Sequence, residues 1–235
     1  MTETRFPGRP LGGTALVLGP LLLLTGVLLR SRVPFFFPDQ LRAYAEHPTL
    51  MLAAYTSFLA GVVLLWPAVL VLAQRIGRDR PKWALWGGAM AVFGLFARTF
   101  HAGVDHLAFQ LAADRGPDEA ARAVADAYGA WHLMSAFSVA IMAGWIVLAI
   151  GAFRAKTLGW CRAAMLASTA LLPLGVLKGT TPLSIVAALG LAIALVPLGI
   201  AVLREGPAPR PRALAAGIAG MLALIAAMVL AGTLG

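Results

Sequence analysis

The chain has 235 residues, of which 60% are hydrophobic and 12% charged, with a formal net charge of +9. A soluble domain carries roughly 25% charged residues, so this composition excludes an ordinary water-soluble fold, and the length fits one domain over residues 1–235. The basic residues lie in short loops between long apolar runs, a pattern of topology signals and contact with membrane lipid that excludes nucleic acid as a partner.

The first apolar run, 11–30, follows Arg5 and Arg9 and is closed by Arg30 and Arg32. No small-x-small cleavage site follows it, so it reads as a retained membrane helix. Next comes Pro34-Phe35-Phe36-Phe37-Pro38, an aromatic patch suited to the headgroup boundary, with Asp39 placed to N-cap a short helix through Tyr44. Further apolar segments follow at 49–74, 83–108, 127–153, 159–178, 182–203 and 213–234. Each has about the 20 residues needed to cross ~30 Å of hydrocarbon.

The separators are a basic turn from Arg75 to Lys82 ending in Pro81-Lys82, the Gly116-Pro117 break, Gly179 to Pro182, and the Pro-rich stretch from Gly206 to Pro211. The least marked is Gly179 to Pro182, where a re-entrant hairpin is the alternative to two full spans. The expected fold class is therefore all-α, a multi-pass bundle of seven transmembrane helices in the cell membrane. Lys and Arg are about twice as frequent on the side of the N-terminal tail, with Arg75, Arg78, Arg80 and Lys82 in one loop there. The positive-inside rule then puts the N-terminus in the cytoplasm and the C-terminus outside. Cys161 is the sole cysteine, so no intrachain disulfide forms.

Charged side chains inside a bilayer are costly and call for a reason. The third helix carries the densest set, and Arg98, His101 and Asp105 share one face at i, i+3 and i+7. Arg98 lies roughly 22 Å along that helix, and His106 and Gln110 fall on the adjoining face. Glu46 and His47 open the second helix, with Tyr55 deeper. Tyr128, His132 and Ser135 share a face of the fourth helix beside Trp131, while Arg30 and Lys178 close the first and fifth. All four histidines thus fall toward the outer side. The functional pocket is expected between helices two, three and four, open to the outer leaflet.

Three chemistries fit this set. His101 and Asp105 at i, i+4, with His132 and with His106 or Glu46, could hold a zinc ion with an open position for water. That donor set resembles the seven-helix intramembrane metal hydrolases of the alkaline ceramidase and adiponectin receptor group, although the paired histidines near their last helix have no counterpart here. A non-enzymatic bundle could instead bind a lipid, a quinone, or a haem between His101 and His132. The third chemistry is proton-initiated cyclisation of an isoprenoid, which needs a carboxylic acid kept protonated in an apolar site, aromatic faces for the carbocation, and a final base.

For cyclisation the acid is Asp105 or Glu46, with His101 and Arg98 setting its protonation and position and His132 as the base. Direct pairing of Arg98 with Asp105 would favour the carboxylate and shift the acid role to Glu46. Phe93, Phe96, Phe100, Phe109, Trp131, Tyr55, Tyr128 and Phe137 supply the aromatic lining. In size, helix number and a Glu/Asp pair near one membrane face, the chain resembles the small membrane-bound terpene cyclases of fungal meroterpenoid and actinobacterial indole-terpenoid pathways. The resemblance implies a lyase or isomerase of secondary metabolism acting on an apolar small molecule without a cofactor, with membrane lipid as its other partner.

Overall fold

The computed structural model describes residues 6–128, 133–205 and 219. Among them the chain is helical, without strands: α1 (Arg9–Leu29), α2 (Phe37–Glu46), α3 (Pro48–Gly77), α4 (Pro81–Arg115), α5 (Pro117–Tyr128), α6 (Leu133–Arg154), α7 (Trp160–Ala167) and α8 (Pro182–Arg204). A 3-10 turn, Ser168–Leu171, continues α7. Prolines open α3, α4 and α8, where the missing N–H would have had no intrahelical partner. Thr181 and Ser184 add a reciprocal capping box to α8.

Four helices, α1, α3, α6 and α8, are long and apolar enough to cross a membrane, and they mark this as a membrane protein. The longest helix is α4. Its 35 residues extend about 52 Å at 1.5 Å per residue, well beyond ~30 Å of hydrocarbon. Its last turns therefore have room to stand clear of lipid.

Six helices close into a ring in which each packs on the next: α1 on α3, α3 on α4, α4 on α6, α6 on α7, α7 on α8, and α8 back on α1. Small residues let the backbones approach. A Cβ added to Gly61 of α3 would lie 2.5 Å from the Leu23 backbone nitrogen of α1, and one on Gly144 of α6 would lie 2.5 Å from the Ala91 nitrogen of α4. Gly61→Ala is therefore expected to destabilise by about 1–3 kcal/mol, because the obstructing atoms are backbone. Gly103→Ala, with nothing within 4 Å, should instead gain up to about 1 kcal/mol of helix propensity. Thermal unfolding in detergent checks the pair, and equal responses would refute the close α1–α3 seam. At one end of the ring, Arg75 pairs with Glu205 at 2.5 Å while Arg9 donates to the Glu205 carbonyl, joining the ends of α1, α3 and α8.

The ring encloses the larger apolar core, built around Leu16, Leu65, Leu95, Trp145 and Leu191. A second, smaller core caps its other end, formed by Leu41 of α2, Met51 of α3, Phe109 of α4, Ala120 of α5, and Val176 and Leu177. The short helices α2 and α5 pack on each other and on α4 to make this cap.

One expected span differs from what is found. The segment 159–178 is not one helix: regular structure ends at Leu171, and 172–181 is irregular. Pro173 cannot continue the hydrogen-bond ladder and Gly175 takes a φ of 111°. The segment 127–153 holds the end of α5 and all but the last residue of α6, and the residues that join them, 129–132, lie outside the described ones. The expected span 213–234 lies outside the described residues apart from Ala219.

Candidate functional site

Irregular backbone at membrane depth is tolerated only where protein satisfies its polar groups. Two charged residues of α4 do this for 172–181. Arg98 donates from Nη2 to the Leu172 carbonyl at 3.3 Å and from Nη1 to the Pro173 carbonyl at 3.1 Å. Seven residues on, Asp105 Oδ1 accepts the Leu177 N–H at 2.5 Å. Leu177 has a φ of 50°, in the left-handed region that β-carbons disfavour, so this hydrogen bond helps hold a costly conformation. Further anchors are Gly179 N–H to the Phe35 carbonyl at 2.9 Å and Thr180 Oγ1 to the Val27 carbonyl at 2.8 Å.

Arg98 and Asp105 therefore share a face of α4, as their spacing predicts, but they form no ion pair among the described residues. Each is committed to backbone instead. Both are at least nine-tenths buried, as is His101 between them.

These three residues line a cavity of about 150 Å³ where the two apolar cores meet. Val27, Phe58 and Leu172 of the larger core contribute to the wall, as do Tyr55 and Phe109 from the cap. Arg30 and Lys178 complete its charged lining. Arg30, at the end of α1, is only 6% exposed. Its guanidinium lies 4.6 Å from the Tyr55 ring centre and 4.8 Å from that of Phe58. Tyr55 is fixed in turn by donating to Gln40 Oε1 at 3.1 Å, and Gln40 is fully buried. The exposed Leu52 and Thr56 of α3 and His106 of α4 also line the cavity, so it opens between α3 and α4.

The remaining predicted residues separate. Glu46 ends α2 and is exposed with His47 at a shallow depression on the surface, away from the cavity. The Pro48 start of α3 breaks the chain there, so a level shared along the membrane normal does not become a shared pocket. Phe96 and Phe93 are exposed on α4, Phe96 edge-on to Trp66 and Phe93 stacked on Phe137. Phe100 is exposed too, its ring 5.9 Å from His101. Phe109 is buried, stacked on Tyr44 and edge-on to Tyr55. Tyr128, at the end of α5, brings its ring to 6.0 Å from His101. Trp131 and His132 lie outside the described residues.

Among the described residues no three His, Cys, Asp or Glu side chains gather closely enough to share a metal. Sequence reasoning placed Arg30 at a helix end but not in the site, and it missed Gln40 and the 172–181 carbonyls. The single available signal was an arginine directly abutting an apolar span, and Arg32, two residues on, gives the same signal yet is exposed.

Comparison of the chain with protein-family models, with curated proteins and with solved structures finds no match.

Proposed function

We propose that this chain is a seven-helix membrane protein, N-terminus cytoplasmic and C-terminus outside. On this reading α4 is a span, and the capped end carrying α2 and α5 is the outer one. It draws an apolar-chain, isoprenoid-type molecule from the bilayer between α3 and α4, and Asp105 exchanges a proton with the end that enters the cavity. The observation that carries this reading is a buried, charged cavity that opens through the flanks of α3 and α4, between Leu52 and Thr56 on one and His106 on the other. A carboxyl group held in a largely apolar wall, with one oxygen fixed by Leu177 N–H, is suited to general acid–base work.

Terpenoid cyclisation is the narrower form of this proposal, and two features weigh on it. A cavity of about 150 Å³ matches one that holds a single benzene ring, so the rest of a long chain would lie in the α3–α4 opening. The rings best placed to steady a carbocation, Tyr55 and Phe58, already face the Arg30 guanidinium.

The lateral route is tested by binding of tritiated geranylgeraniol to the protein in lipid nanodiscs. Thr56→Trp, which fills the mouth from α3, is expected to weaken binding about tenfold or more. Binding equal to wild type in this variant would overturn the route, and failure of wild type to bind either geranylgeraniol or its acid and phosphate counterparts would overturn the proposal.

A further inference from the structure

Arg30, at the end of α1, packs its guanidinium on the Tyr55 and Phe58 rings of α3. Among the described residues its side chain donates to no backbone group, and its buried Nε has no hydrogen-bond partner. Its charge acts on the Tyr55 hydroxyl and on the Asp105 carboxylate, and a buried charge compensated no further than this is unfavourable. The surroundings add to the demand. Arg30, Arg98 and Lys178 line the cavity, and Asp105 is the one carboxylate among the lining residues. The Asp105 carboxylate is already engaged by Leu177 N–H.

The geometry also states which part of Arg30 is available. Tyr55 and Phe58 each present a ring to its guanidinium, and Arg98 approaches the same Phe58 ring at 5.9 Å. All five guanidinium donors lie in its plane, in a fork that matches carboxylate and phosphate oxygens. With the rings against the guanidinium, its N–H edge is what remains for a ligand. Lys178, 5.5 Å from the Phe35 ring centre, adds a point charge to the lining.

From this we infer that the cavity is an anion subsite in which Arg30 takes the carboxylate or phosphate head of an apolar-chain molecule. The inference rests on the proposed uptake of a membrane-borne chain and adds the chemistry of its head. The cavity volume suits such a head, while the opening between α3 and α4 leaves the tail in lipid. Arg98 keeps its carbonyls and contributes charge rather than a direct bond.

The test compares four probes on the protein in nanodiscs of neutral phosphatidylcholine: geranylgeraniol, geranylgeranoic acid, geranylgeranyl monophosphate and inorganic phosphate. The acid, the monophosphate or both should bind at least about tenfold tighter than the alcohol, the scale of a charge-assisted hydrogen bond. Arg30→Gln should collapse that ratio toward one, and Arg30→Lys should restore part of it. Equal binding of alcohol and both anions to wild type overturns the anion subsite while leaving chain uptake intact, and that comparison needs no variant to fold. Failure of all three chain probes overturns the uptake reading beneath it. Inorganic phosphate binding as tightly as the chain anions would make this a site for free phosphate and overturn the amphiphile.

Discussion

Replacing Arg98 with methionine is expected to destabilise the protein by about 3–5 kcal/mol, read as a fall of about 10 °C in unfolding temperature in detergent. Arg98 is the donor for two carbonyls of the irregular segment, those of Leu172 and Pro173. Each is a hydrogen bond to a charged group, and each carbonyl left bare in a dry interior carries its own penalty. Methionine recovers part of the cost of burying the charge, which keeps the net effect below the sum of those terms. Arg98→Lys tests the geometry, since a point charge on a shorter head does not match two separated carbonyls as a planar fork does. It should recover about half of the loss. Full stability in Arg98→Met would mean that 172–181 is held by other contacts.

The second large effect concerns Asp105, whose structural and chemical roles can be separated. Asp105→Asn retains an oxygen to accept the Leu177 N–H and should keep stability within about 1 kcal/mol. If Asp105 moves a proton, the same substitution lowers turnover by about 10²–10⁴-fold, measured by product analysis with an isoprenoid substrate. Asp105→Leu removes the acceptor and should cost a further 1–3 kcal/mol or so, as a buried N–H loses its partner. Wild-type turnover in a stable Asp105→Asn protein would reduce Asp105 to an anchor for Leu177.

Much of the helical framework was legible because apolar runs and their punctuation agree. The expected segments 49–74 and 182–203 match α3 (Pro48–Gly77) and α8 (Pro182–Arg204), each opened by a proline whose effect is local. The expected 83–108 stops seven residues short of the end of α4, because hydropathy falls at Asp114 and Arg115 while helix propensity does not. The failure at 159–178 has another cause. A sliding hydropathy window reads side chains, whereas the path of 172–181 is set by whether backbone groups find partners, and those partners are Arg98 and Asp105, about 70 residues earlier in the chain. Pro173 and Gly175 were the local warning.

For the site, helical spacing was enough to group Arg98, His101 and Asp105, because residues on one helix carry their geometry in the sequence. Arg30 and Glu46 had to be assigned by depth alone. Depth does not say which way a side chain turns about the membrane normal, so Arg30 points inward and Glu46 outward without a difference in the local sequence to announce it.

The double employment of Arg98 and Asp105 also bears on how such a pocket changes over generations of mutation. Two of the four residues that charge the cavity also secure the backbone of 172–181, so any loss of them other than Asp105→Asn discards the chemistry and loosens the scaffold together. A lineage shedding the function while keeping the fold has few first steps available at those positions. Arg30 is different, since it anchors no backbone among the described residues. Drift in what the pocket accepts can therefore begin at Arg30, at small cost to the architecture, while the α4 pair stays under selection for folding alone.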